Sequence, residues 1–467
     1  MTILAMSLPC RAPAQSAPAA DARPFPSGTV LPNVVTTGRP DQSYALFLPS
    51  GYTPKKKWPT VYAFDPGAQG ARPVELMKDA AEQYGFIVLG SNNSRNGSWS
   101  IEGEAAQAML QDSQQRFSVD SDRLYFAGFS GGARVAARVA QLCKCAAAVL
   151  LNGAGFHPEA ASVPQTKFAV FSAVGNYDFN YGEVAEMDDE LGKFGYPHFL
   201  RRFDGPHQWA PATVQQEALA WFRLQAMKQG GEPRDPSLIN ALHAQELERA
   251  RALESSGDLF LAWKEYAQAA RMFAGLADIT GIRDRADALA GEKAVRDGAK
   301  REKQEFAEQD QVAGEISSGL SAIPQSYEGR EDLRAAVEQK ILALRSRLEH
   351  EKQERTLRVL KRARAGVLVQ SMEMGFERME QKDFSLAREF FELACAADPD
   401  SVWALGNLAA ARASAGDRKG ALSALRQAKL KTKDPVQFSS WLSQEAAFDK
   451  LRNTPEFQAL LEPPPQH

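Results

Sequence analysis

Two hydrophobic rhythms divide the chain. Up to residue 228, short apolar runs bounded by turn residues recur at 43–48, 58–64, 85–89, 124–127, 146–151, 168–173 and 198–203. Between them lie stretches of helical period, at 74–84, 102–117, 133–142, 183–194 and 213–228. Strands exchanging with helices of this length predict a mostly parallel, doubly wound sheet covered on both faces, the α/β class. In such a sheet reacting groups collect at the carboxyl ends of the strands. After Gln229-Gly230-Gly231-Glu232-Pro233-Arg234-Asp235-Pro236 the strand signal stops and the pattern is helical to the end.

The helical part carries an internal pattern, Asp-x-x-x-Ala-x-x-x-[Tyr/Phe/Leu]-x-x-Ala. It occurs at Asp258, Ala262, Tyr266, Ala269; at Asp383, Ala387, Phe391, Ala394; and at Asp417, Ala421, Leu425, Ala428. Asp383 and Asp417 stand 34 residues apart, the period of tetratricopeptide repeats, which residues 372–432 resemble, with a weaker copy at 247–273. Leu405-Gly406 matches the small position on the turn side, whereas Trp403 is displaced from its usual place. Residues 283–365 are charged, with a break at 319–329, and their leucines (Leu342, Leu344, Leu348, Leu357) are too irregular for a coiled coil. A solvated helical connector is expected there. A tail at 441–461, with Phe448, Leu451, Phe457 and Leu460, is expected to cap the stack.

Bulk properties narrow the classes. A chain of 467 residues exceeds one ordinary core. A net charge of −3 leaves no basic footprint for nucleic acid. No apolar run reaches the length of a membrane span. Of the four cysteines, Cys143 and Cys145 flank one lysine, too close for an unstrained bridge in regular structure, and Cys395 reads as a small core residue. No cysteine spacing suggests zinc. A short apolar run at 2–8, Ala12-Pro13-Ala14 and an Ala/Pro/Ser-rich stretch at 13–26 suggest a leader or part of a signal peptide. A periplasmic or secreted location is therefore expected, with a cytoplasmic one as the alternative. The organisation read from the sequence is a leader and linker at 1–27, a sheet domain at 28–228, a linker at 229–236 and a helical domain at 237–467.

The chemistry centres on Gly128-Phe129-Ser130-Gly131-Gly132, which lies between the run at 124–127 and the helix at 133–142. Gly-x-Ser-x-Gly at a strand-to-helix turn lifts a serine off the sheet, and the glycines two residues away avoid collision with strand and helix. A serine needs a base, and the base an orienting acid. Of six histidines, His207 follows the last strand in Asp204-Gly205-Pro206-His207-Gln208-Trp209 and is preferred over His157. Asp178, in Gly175-Asn176-Tyr177-Asp178 after the run at 168–173, is preferred over Asp204 as the acid. For an oxyanion the N–H of Gly131 is one donor, and Gly67 or Ala68, in Asp65-Pro66-Gly67-Ala68-Gln69-Gly70, is the expected second. Arg95 and Trp99, in the polar loop at 91–99, and Phe129 are the candidate substrate contacts.

These segments, in the order Ser130, Asp178, His207, resemble the α/β-hydrolase superfamily over residues 28–228. They are closest in style to its polyhydroxybutyrate-depolymerase, feruloyl-esterase and dienelactone-hydrolase branch. The resemblance implies hydrolysis of a small or polymeric ester through an acyl-enzyme, with Ser130 attacking, His207 moving the proton and Asp178 fixing its tautomer. It implies no metal and no organic cofactor. The departure is at Asp65-Pro66-Gly67, where the family commonly has His-Gly. A helical repeat-like region suits a protein partner. Two alternatives are a peptidase of the prolyl-oligopeptidase type and a catalytically silent hydrolase fold acting as an interaction scaffold.

Overall fold

The computed structural model describes residues 25–156, 168–326 and 328–461. Its apolar runs pair into one sheet of strands β1 (Val30–Val35), β2 (Ser43–Phe47), β3 (Trp58–Phe64), β4 (Ile87–Ser91), β5 (Val119–Phe129), β6 (Ala146–Asn152), β7 (Ala169–Gly175) and β8 (His198–Phe203). The spatial order is β1-β2-β4-β3-β5-β6-β7-β8, with β2 antiparallel to both neighbours and β3 to β8 all parallel. This is the doubly wound, mostly parallel sheet of the α/β class expected from the sequence. Strand β1 was not legible. It is a largely exposed edge strand holding Pro32 and a register shift between Leu31 and Val34, so it lacks a continuous apolar run.

Helices α1 (Ala71–Tyr84), α2 (Trp99–Arg116), α3 (Gly131–Cys143), α4 (Tyr181–Lys193) and α5 (Ala212–Lys228) cover the sheet. Two neighbours on β5 show both faces, because successive side chains on a strand point opposite ways. Tyr125 stacks on Phe222 of α5 at 4.5 Å, while Phe126 stacks on Tyr62 at 5.7 Å. The Tyr62 hydroxyl is in turn hydrogen-bonded to Ser113 of α2 at 3.0 Å. Helix α3 ends at Lys144, whose φ of 54° takes the chain out of regular structure. There Cys143 and Cys145 are bonded to each other, with Cα atoms 5.1 Å apart. The spacing that excludes a bridge within a helix or strand does not exclude one across this left-handed residue.

The chain does not leave the sheet at the 229–236 linker. Helices α6 (Pro236–Ser255), α7 (Leu259–Phe273) and α8 (Thr280–Ala290) belong to the same compact unit, which runs to Glu302. Ile239, Leu242, Phe260, Tyr266 and Phe273 share one core with Phe171, Phe199 and Trp221. The expected boundary at residue 237 is therefore corrected to one near residue 303. The cause lies at the sheet's edge. Among the described residues no strand lies beyond β8, and its Leu200 N–H donates to Gln268 of α7 at 2.7 Å. Beside it Arg201, only 4 % exposed, binds Glu217 at 2.6 Å, Glu246 at 2.7 Å and Glu265 at 3.2 Å. Burial pushes the Glu246 carboxyl up against the pull of Arg201 and Arg249. Arg201→Ala leaves Glu217 and Glu246 with Arg249 alone, takes this cation from Glu265, and is expected to lower stability by about 3–5 kcal/mol. Urea denaturation of variant and wild type measures it.

The second unit, Lys303–His467, is helical throughout its described residues. Helix α9 (Lys293–Ala322) enters it, followed by α10 (Arg330–His350), α11 (Glu354–Glu380), α12 (Phe384–Ala397), α13 (Val402–Ser414), α14 (Arg418–Lys431), α15 (Pro435–Gln444) and α16 (Pro455–Leu461). The recurring pattern has a local cause. Asp258, Asp383 and Asp417 are N-caps, accepting from the N–H of Leu261, Leu386 and Gly420. The alanines and large residues that follow are buried at helix crossings. The connector expectation is corrected. Val337, Ile341 and Leu344 form a buried stripe, packed with Ile316, Leu320, Leu360 and Phe390. Its period is completed by a valine and an isoleucine, which a search among leucines passes over. Phe448, Leu451, Phe457 and Leu460 pack on the core built by α13 and α14. Among the described residues no helix is long and apolar enough to cross a membrane.

Candidate active site

Ser130 sits between β5 and α3 with φ 53° and ψ −123°, a backbone conformation that costs about 1–3 kcal/mol for a residue with a side chain. The surrounding packing enforces it. A Cβ on Gly128 would lie 2.0 Å from the carbonyl oxygen of Gly132, and one on Gly132 would lie 2.1 Å from that of Phe64. The Ser130 N–H donates to Asn152 O at 2.9 Å, and Asn152 Nδ2 donates back to Gly128 O at 3.0 Å, which pins the turn to β6. Although Ser130 is the N-cap of α3, its hydroxyl makes no capping bond. Oγ is thus left for other work at the positive end of a helix.

His207 and Asp178 come from the loops after β8 and β7, and backbone bonds join those loops. Asn176 N–H donates to Phe203 O at 2.9 Å and Tyr177 N–H to Gly205 O at 3.0 Å. Gly175 permits the approach, since a Cβ there would lie 2.3 Å from Gly205 O. The result is a continuous chain of contacts. His207 Nε2 lies 2.9 Å from Ser130 Oγ, and Nδ1 lies 2.9 Å from each carboxylate oxygen of Asp178. Asp178 is fully buried, and its Oδ1 also accepts from Asn180 N–H at 2.8 Å. The imidazole is flanked by Phe129 at 4.6 Å and Phe179 at 4.3 Å between ring centres. These rings limit its rotation and keep both nitrogens aimed. His157, the other histidine weighed as base, lies outside the described residues. Asp204 is exposed.

The remaining expected residues fall out differently. Gly131 N–H makes no hydrogen bond to any described residue and opens α3 beside the serine. Gly67 and Ala68 do not match their expected role, because both N–H groups are engaged by Asp65. Gly67 donates to Asp65 Oδ1 at 2.8 Å, and Ala68 donates to Asp65 O at 3.1 Å in a tight turn. The other carboxylate oxygen of Asp65 accepts from Trp209 Nε1 at 2.7 Å, so this acid braces the loop carrying His207. Phe129, expected to meet substrate, is 9 % exposed and packs on His207 and Trp209 instead. Trp99 holds the guanidinium of Arg138 at 4.2 Å. Nearby, burial pushes the Glu102 carboxyl up to about 7 against the pull of Arg138. Arg95 is exposed, and its backbone forms a bridge to Gly67.

Sequence reasoning passed over several groups that brace this arrangement. Gly153 (φ 63°) lies under the acid, where a Cβ would come 2.8 Å from Asp178 Oδ2. Its signal was Asn152-Gly153 at the end of a buried strand. Arg134 binds Glu183 through two bonds of 2.8 and 2.9 Å, and Glu183 also accepts from Gly155 N–H. Nothing local marks that pair, whose members lie on different helices. Among the described residues no group of three or more His, Cys, Asp or Glu side chains could hold a metal.

No family model and no curated protein matches this sequence. Solved structures similar to it over its N-terminal part include the fluorophosphonate-binding serine hydrolase FphF of Staphylococcus aureus. That match has 14 % identity and a TM-score of 0.35, and covers 42 % of this chain and 99 % of the other. A feruloyl esterase module of Clostridium thermocellum, complexed with sinapinate, has 17 % identity and a TM-score of 0.35 over 44 % of this chain and 92 % of its own. An esterase of Pyrobaculum calidifontis has 14 % identity and a TM-score of 0.33 over 43 % and 85 %.

Proposed function

We propose that the sheet unit is a serine hydrolase acting on carboxylic esters, with Ser130, His207 and Asp178 as its catalytic triad. The observation that carries this reading is the unbroken contact from Asp178 through His207 to Ser130, each link 2.9 Å long. His207 Nε2 takes the Ser130 proton as Oγ attacks the ester carbonyl, and Nδ1–H stays on the buried carboxylate of Asp178. The tetrahedral oxyanion forms at the N-terminus of α3, where Gly131 N–H points. Collapse releases the alcohol, protonated by His207, and leaves an acyl group on Ser130. Water, activated by the same imidazole, then releases the acid. The Ser130 hydroxyl, which meets His207 rather than capping its own helix, and the strained, glycine-permitted turn favour this over a silent scaffold, since strain of this kind gathers at functional sites.

The test is covalent. A fluorophosphonate probe is expected to add once per chain on Ser130, and chromogenic acyl esters of graded length are expected to be turned over faster than peptide anilides. A wild-type chain that neither takes the probe nor turns over any ester would overturn the reading. For the helical unit we read a protein-binding role, supported by its capped helices and small buried crossings. For location we read export, which the Cys143–Cys145 bond supports because such bonds persist in oxidising compartments.

A further inference from the structure

The elbow motif requires glycine at 128 and 132, yet Gly131 is a glycine too, and neither strand nor helix asks for it. The space above Gly131 is taken by another loop. A Cβ on Gly131 would lie 1.9 Å from Asn96 Oδ1, 2.8 Å from its Cγ and 3.3 Å from its Nδ2. On the reading of Ser130 as nucleophile, we infer that the side-chain amide of Asn96 is the second oxyanion donor of this site.

Three observations converge on it. The backbone donors expected in the role, Gly67 and Ala68, are both engaged by Asp65. Cα–Cβ bonds in a helix tilt toward its N-terminus, so a group standing where the Cβ of Gly131 would be lies at the same end as the free Gly131 N–H. Finally, Asn96 is anchored through its backbone and free in its side chain. Its N–H donates to Pro66 O at 2.9 Å, and its neighbour Arg95 bridges to Gly67. Its carboxamide makes no hydrogen bond to any described residue. Oδ1 stands nearer Gly131, and a half-turn about Cβ–Cγ exchanges it for Nδ2, with no bond to a described residue opposing the exchange. An alkoxide forming beside Gly131 N–H draws the N–H of the amide toward it.

The experiment uses the full chain and a chromogenic acyl ester. Asn96→Ala is expected to lower kcat about 10²–10³-fold with KM within a few-fold, because the donor acts on charge present only in the transition state. The fluorophosphonate still labels Ser130 to completion, but more slowly. Asn96 is exposed, so the melting temperature stays close to that of wild type. A second variant reads the same contact from the other side. Gly131→Ala keeps the backbone N–H but displaces the carboxamide, and is expected to lower kcat to a similar degree. The double variant is expected to be no worse than the poorer single one. Active Asn96→Ala at wild-type kcat, alongside an inactive Ser130→Ala, overturns this inference and leaves the triad standing. An active Ser130→Ala overturns the triad reading itself. Losses that multiply in the double variant also count against Asn96, since the glycine would then act independently of it.

Discussion

Ser130→Ala is expected to lower kcat on acyl esters about 10⁶-fold if the proposed triad holds, the cost of removing a nucleophile from three groups that act as one unit. The hydroxyl is the only atom lost, and it makes no capping bond to α3. The turn stays pinned by Ser130 N–H to Asn152 O, and alanine meets the same backbone strain as serine. Folding is therefore expected to be unchanged, and the loss to fall on chemistry alone. The residual rate, about 10³–10⁴ above water, comes from binding and the oxyanion donors. Mass spectrometry after fluorophosphonate treatment gives the parallel result, with one adduct on wild type and none on the variant. A variant retaining more than a hundredth of the activity would move the nucleophile elsewhere.

Asp178→Asn is expected to cost about 10⁴-fold in kcat while leaving KM within a few-fold. Asp178 is fully buried, accepts the Asn180 N–H on Oδ1, and meets His207 Nδ1 with both oxygens at 2.9 Å. An asparagine fits the same space but offers one N–H to the ring. The favoured tautomer then carries its proton on Nε2, facing Ser130, where the imidazole must be an acceptor to act as base. Folding is preserved because no buried charge is created and shape is kept, so a melting curve near that of wild type separates this loss from collapse of the site. A loss of less than ten-fold would hand the orienting role to another acid, Asp204 being the other carboxylate on these loops.

Ser130, Asp178 and His207 could be picked from the sequence because each directly follows a recognisable apolar run. In a parallel sheet the carboxyl ends of such runs share one rim, so order along the chain translates into proximity. Gly67, Ala68 and Phe129 resisted the same method. Whether Gly67 and Ala68 offer their N–H groups outward depends on one carboxylate, Asp65, which turns back on its own loop and also holds Trp209, a residue 144 positions away. Phe129 is covered by the rings of His207 and Trp209, which reach it from a distant part of the sequence. The limits of the sheet unit were hidden for a related reason. Arg201 and its glutamates lie on β8, α5, α6 and α7, and no local pattern announces a charge cluster assembled from four elements.

Local chemistry thus determined the alternation of strand and helix, the sharp turn at Ser130 and the capped helices of the second unit, since each depends on residues a few positions apart. Tertiary structure alone decided how Asp65 spans its own loop and Trp209, which rings enclose the imidazole and how far the sheet unit extends. Those features depend on pairs of side chains whose separation is set by packing. A buried polar group takes whichever partner the fold brings within 3 Å, and the order of residues along the chain does not name that partner in advance.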